Sequence, residues 1–398
     1  MGTARARRHY QGPALLSHGF RPFFLAASGF SALAMALWLA GLWHGWPAAD
    51  AVDMLSWHRH EMLFGYLGAV LAGFLMTAIP NWTGRLPVMG APLAAFTLLW
   101  LAGRFAMLAA PMGALAVTVI DAAFPALLAL FAWREVISGG NWRNAPVCVL
   151  VTLFALADVI SHVEAGFSNA MGFGERFGLA IAALLIALIG GRIVPSFTLN
   201  WMKRENRAPL PASFNRYDQL ALVGLGLALA LWAGAPESAG AGILLLLAGA
   251  LHLGRLARWR GWRTLSEPLV AILHLGYAWL GLALVLMGLG ALWPDVMAPS
   301  AALHALTVGA IGHMTVGVMT RASLGHTGHG LTAGPATIGL YTCLFIAALL
   351  RIAAPYLPMP FLIAISFAGF FWIAAFALFV VIYAPLLLAP RRGADGDG

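Results

Sequence analysis

The chain has 398 residues, of which 61% are hydrophobic and only 10% charged, with a formal net charge of +8. A soluble domain carries about 25% charged residues, so a surface solvated all round is excluded. The 23 Lys and Arg lie scattered through short polar breaks, with no basic helix or aromatic-interleaved basic run, and nucleic acid is excluded as a partner.

A transmembrane helix needs about 20 apolar residues, and the sequence supplies close to twelve such runs. The start is basic (Arg5, Arg7, Arg8), and the first run is too long for a signal-peptide core, so it reads as a retained helix. In chain order the expected spans are 19–44, 57–80, 91–110, 113–133, 145–164, 174–200, 217–235, 239–259, 268–291, 299–320, 334–355 and 360–388. Only Pro111-Met112-Gly113 separates the third from the fourth, a turn short enough to hide a re-entrant segment. The longest polar stretch, 203–218, is a loop, and Cys148 and Cys343 both sit in apolar runs as packed thiols. The expectation is an all-α polytopic bundle forming one integral membrane domain over 1–398, in a bacterial inner membrane surrounded by lipid. With the N-terminus inside, 19 of the Lys and Arg fall on the inner side and four (Arg59, Arg104, Arg176, Arg351) on the outer. That asymmetry places residues 1–18 and the tail 389–398 in the cytoplasm.

Twelve histidines beside 15 acidic residues is a high proportion for such a chain. Ionisable groups within a bilayer are costly and mark functional interiors, and neutral imidazole is a common metal and haem ligand. On this topology His58, His60, His162 and His304 share an outer depth, His252, His274 and His326 lie toward the inner side, and His313 sits near the middle. His58 and His60 are separated by roughly 200° of helical rotation, so they serve two sites flanking one helix better than one ion. His304 and His313 also face apart, with His313 roughly 13 Å deeper.

Glu61 can deliver protons, hold a ligand imidazole, or simply pair with a cation at the interface. Asp121 and Asp158 suit a proton route. Arg104 needs an anion, and a haem propionate or Asp121 would serve equally. His326 and His329 form a loop pair open to copper. Walker, HExxH, GxSxG and strand-bound dinucleotide motifs are absent.

Several blocks occur in a characteristic order: GFRPFFL (19–25), WHRHEMLFG (57–65), GFLMTAIPNWTG (73–84), GRIVPSFTLN (191–200), LHLGYAW (273–279), HALTVGAIGHMT (304–315) and MTRASLGHTG (319–328). In these the chain resembles the NnrS family of bacterial membrane proteins, from about residue 19 to 388. The resemblance implies twelve spans, haem (of b type) and copper, and a role in the response to nitric oxide. His58, His60, Glu61, Arg192, His274, His304, Arg321 and His326 match the family's pattern, and His162 fits a looser position. His18, His313 and His329 depart from it. The span count and outer histidines are also similar to the catalytic subunit of haem-copper oxidases, an analogy of architecture alone.

The expected function is binding of nitric oxide and its reduction to nitrous oxide. His58, His60, His304 and His274 are the candidate haem ligands, with Arg104, Arg192 and Arg321 at the cofactor. His58, His60, His162, His304 and His326 are the candidate metal ligands, and Glu61 the catalytic carboxyl. No CxxCH motif is present, so electrons come from quinol or a separate donor protein. A haem or copper sensor or carrier without turnover is the first alternative. A secondary transporter is the second.

Overall fold

Lipid offers no hydrogen bonds, so a spanning chain must satisfy its backbone internally. The computed structural model describes residues 10–45, 53–108, 113–165 and 171–392, and every regular element among them is helical. Twelve helices follow in order: α1 (Phe20–His44), α2 (Met54–Thr83), α3 (Ala91–Ala106), α4 (Ala114–Ser138), α5 (Ala145–Ala165), α6 (Phe173–Arg204), α7 (Arg216–Gly234), α8 (Ala239–Ala257), α9 (Pro268–Leu292), α10 (Pro299–His326), α11 (Pro335–Ala353) and α12 (Phe361–Leu388).

Eleven are long and apolar enough to cross a membrane. The exception is α3, expected over 91–110 but sixteen residues long. At 1.5 Å per residue it covers about 24 Å of a core roughly 30 Å thick. Pro111 and Met112 of the expected tight turn lie outside the described residues, as do Arg5, Arg7 and Arg8.

Local sequence sets the helix ends. Asp53 accepts from the Ser56 N–H to start α2, and Asn215 with Asp218 forms a reciprocal cap on α7. Proline opens α9, α10 and α11, where its missing N–H costs nothing. Gly84 closes α2 in the left-handed region, at φ 69°.

Three helices are interrupted by wide π-helical turns: Glu61–Leu67 in α2, Ile186–Gly190 in α6 and Ala305–Gly312 in α10. Such turns break helical register and recur at functional sites. Here each adjoins a block carrying His60, Arg192 or His304.

The helices divide into two compact units. The first holds α1–α5, the opening of α6, and the C-terminal parts of α10 and α12. Within it α1 packs along α2 and α4 along α5, with Phe23 against Phe124 and Phe64 against Phe154. Arg21, buried at the start of α1, donates from Nη1 to the Leu387 and Ala389 carbonyls at 2.8 and 2.6 Å, satisfying the end of α12. The second unit is built on α9, flanked by α8 and by the wide turn of α10. A Cβ on Gly249 would stand 2.8 Å from the Gly281 carbonyl, so a small-residue seam lets α8 approach α9.

Candidate functional site

The site begins where α2 widens. His58 and His60 precede the turn, in regular helix, and face different neighbours. The His58 ring stacks on Trp38 of α1, centroids 4.1 Å apart. His60 is buried and turns toward α4 and α5. Its Nε2 lies 2.9 Å from Asp158 Oδ1 and 3.3 Å from Asp121 Oδ2.

On α5, Asp158 and His162 are four residues apart and therefore share a helix face. His162 Nε2 lies 3.0 Å from Asp121 Oδ2 and 3.8 Å from Asp158 Oδ1. Four side chains from three helices thus direct one donor atom each to a common point, all within 4.8 Å of one another. Among the described residues no other such group of His, Cys, Asp and Glu occurs.

A second layer surrounds them. Glu61, the first residue of the wide turn, places Oε1 3.5 Å from His60 Nδ1. Its Oε2 accepts from Arg104 Nη1 at 2.6 Å, and Arg104 Nη2 donates to Asp121. Gly65 and Gly103 make this packing possible. A Cβ on Gly65 would fall 2.4 Å from Arg104 Nη1, and one on Gly103 2.5 Å from Asp121 Oδ1. Trp100 locks the layer by donating to the Gly65 carbonyl at 2.9 Å.

Charge is not balanced by these residues alone. Three carboxylates (Glu61, Asp121, Asp158) meet a single guanidinium, leaving a formal excess of two negative charges among buried side chains. Buried charge without compensation costs several kcal/mol per ion. Two imidazolium ions or one divalent cation would cancel it. His60 faces carboxylates with both nitrogens, which suits a small cation and not a porphyrin iron.

The other expected residues are placed elsewhere. In the second unit, His304 Nδ1 lies 2.6 Å from the Ser300 carbonyl, and Arg192 is exposed just after the wide turn of α6. His274 is buried with Nε2 2.7 Å from Thr198 Oγ1. That hydroxyl already donates to the Val194 carbonyl, so His274 Nε2–H is the donor. In the first unit, Arg321 is half-buried and the His326 ring lies against Phe20, centroids 5.4 Å apart. The His329 imidazole, in the loop beyond α10, is pushed below its ordinary pKa by burial and by the Arg392 charge.

His313 is the residue that sequence reasoning set aside. It is fully buried, and its Nδ1–H donates to the Gly309 carbonyl at 2.7 Å. Nε2 is then the bare acceptor, and it has no hydrogen-bond partner among the described residues. Trp279 and Phe345 flank the ring, at centroid distances of 6.2 and 6.3 Å.

With this geometry in hand, comparison with known proteins is decisive on one point. The sequence model described as NnrS protein matches residues 14–391, nearly the whole chain. The chain belongs to the NnrS family. Membership of NnrS supports a membrane protein of the nitric oxide response. No curated protein matches the chain. For an NnrS chain, Asp121 and Asp158 are functional candidates that the sequence offers as a proton route, with Asp121 also a partner for Arg104, but not as metal ligands. The available signal was the four-residue spacing of Asp158 and His162. The third helix, which brings in Asp121, leaves no trace in local sequence.

Proposed function

We propose that this protein binds nitric oxide at haem in the bacterial inner membrane and reduces it to nitrous oxide, with copper or another metal as second centre. NnrS membership supports the nitric oxide response. The structural observation that carries the haem is His313. Its Nδ1–H is held by a backbone carbonyl and its bare Nε2 is buried beside aromatic rings, the posture of an imidazole prepared to ligate iron. Leaving such an acceptor unmet costs roughly 1–3 kcal/mol, which a ligand at Nε2 would recover. His304 offers a second imidazole in the same unit, with Nδ1 on the Ser300 carbonyl.

When bound, ferrous haem supplies a site that takes nitric oxide. The net reaction joins two NO with two electrons and two protons to give N₂O and water. Electrons come from quinol or a separate donor protein. In the first unit Glu61 Oε1 and His60 Nδ1 face each other at 3.5 Å and can hold a proton between them. Arg104 keeps Glu61 in place through its other oxygen.

The test is the reduced-minus-oxidised visible spectrum of detergent-purified protein, repeated with NO while N₂O is followed. Haem bands with N₂O over many turnovers support the reading. A stable nitrosyl without N₂O replaces it with a sensor or carrier. Absence of haem removes it and leaves a transporter. In the haem protein, His313→Ala is expected to lose or shift the haem spectrum.

A further inference from the structure

We propose that His60, His162, Asp121 and Asp158 form a non-haem site for one divalent first-row transition-metal ion, with Glu61 anchoring the His60 imidazole. This goes beyond the nitric oxide reading and needs neither haem nor NO. Three observations converge on it. First, the four N···O separations between the two Nε2 atoms and Asp121 Oδ2 and Asp158 Oδ1 are 2.9, 3.0, 3.3 and 3.8 Å. They straddle the edge of roughly 3.3 Å that a tetrahedron with bonds of about 2.0–2.1 Å requires. The two shortest, His60 to Asp158 and His162 to Asp121, are hydrogen bonds, and the crosswise contacts at 3.3 and 3.8 Å are what gather the two pairs around one point instead of leaving them apart.

Second, the excess of two negative charges equals the charge of one divalent cation. Asp158 is fully buried, and its second oxygen, Oδ2, has no hydrogen-bond partner among the described residues. The site is thus over-supplied with acceptors. Third, His60 shows its Nε2 to the common point and its Nδ1 to Glu61. Both Nδ1 and Glu61 Oε1 otherwise have no hydrogen-bond partner among the described residues, and at 3.5 Å the carboxylate stands where a small closure would let it orient a ligating imidazole.

The donor set selects the ion. Two imidazoles and two carboxylates suit Fe(II), Zn(II), Mn(II) or Cu(II), and no cysteine or methionine sulfur is in the set to favour Cu(I). Arg104 is not a ligand. It neutralises the far oxygens of Glu61 and Asp121 so that only one cation is needed.

The experiment is a Co(II) titration of full-length, detergent-purified protein stripped with a chelator. One equivalent is expected to bind, with the intense visible absorption of a four-coordinate ion. His162→Gln and Asp158→Asn, close in shape to the residues they replace, are each expected to weaken binding by tenfold or more. X-ray absorption of the loaded wild-type protein, which needs no variant, is expected to show nitrogen and oxygen neighbours only. Wild-type protein that takes up no cobalt overturns the proposal, as do variants that bind it like wild type. Sulfur neighbours overturn it too. Haem is measured on the same preparation. Haem without cobalt binding removes this site alone, whereas cobalt binding without haem removes the nitric oxide reading and leaves the site.

Discussion

Arg255 in the second unit and Arg104 in the first are both enclosed among aspartate and histidine, and their surroundings are balanced in opposite ways. Arg255 donates from Nε to Asp218 Oδ1 at 2.8 Å, and from Nη1 to the Ala187 carbonyl at 2.9 Å and the Tyr277 hydroxyl at 2.8 Å. The Tyr277 hydroxyl in turn donates to His252 Nδ1, and His252 Nε2–H donates to the Ala221 carbonyl. Asp218 Oδ2 takes Arg258 and the Asn215 N–H. Nε and Nη1 of Arg255 are both satisfied, and cations outnumber carboxylates. The Arg104 cluster has three carboxylates for one guanidinium, and two imidazoles turned to a common point. A closed network reads as scaffold, holding α6, α7, α8 and α9 together. An open, anion-rich one reads as a place for a cation.

Substitutions can break this comparison in order of effect. Arg104→Met should be the most damaging, because it leaves Glu61 and Asp121 buried without their counter-ion. The expected loss is about 3–5 kcal/mol, read as a collapse of thermal stability in detergent. Arg255→Met should cost less, since Arg258 still holds Asp218. Equal losses would erase the distinction between the two units.

Gly103→Ala comes next. Its Cβ would meet Asp121 Oδ1 at 2.5 Å, and overpacking of this kind costs about 1–3 kcal/mol. The variant should fold with lowered stability and weakened metal binding, since Asp121 is displaced. Tyr277→Phe should cost a similar or smaller amount, about 1–3 kcal/mol, with metal content unchanged. A metal deficit in Tyr277→Phe would show that the second network is no mere scaffold. The smallest effect is expected for His329→Gln. That imidazole stays neutral near pH 7, because burial and Arg392 hold its pKa down, and metal content should not move.

The sequence made the spans plain because an apolar run of about 20 residues has few other uses. It could not rank them by enclosure. α2 and α4 read as similar apolar runs, yet 83% of the apolar stretch of α2 is buried against 39% for α4. Lipid and protein interior are equally apolar, so composition does not separate them. The wide turns were invisible for a related reason: a change of helical period shows only where polar and apolar faces alternate. α3 came out four residues shorter than expected, because hydropathy continues through Met107 and Leu108 while the helix ends at Ala106.

At the site, His60, Glu61, Arg104 and His162 were each visible as polar residues in apolar runs, and the pairing of Arg104 with Asp121 was one of two partners considered. Their convergence was not visible, because it depends on how three helices pack. His313 shows the opposite failure. Its departure from the family pattern counted against it, and only the hydrogen bond to Gly309, four residues earlier, reveals that Nε2 is the atom left bare.

The most direct test of the contrast between the two clusters is a metal analysis of wild-type protein, His162→Gln and Tyr277→Phe, purified side by side. About one non-haem divalent ion per chain is expected in wild type and Tyr277→Phe, and its loss in His162→Gln. Metal that survives in His162→Gln, or that disappears with Tyr277→Phe, would contradict it.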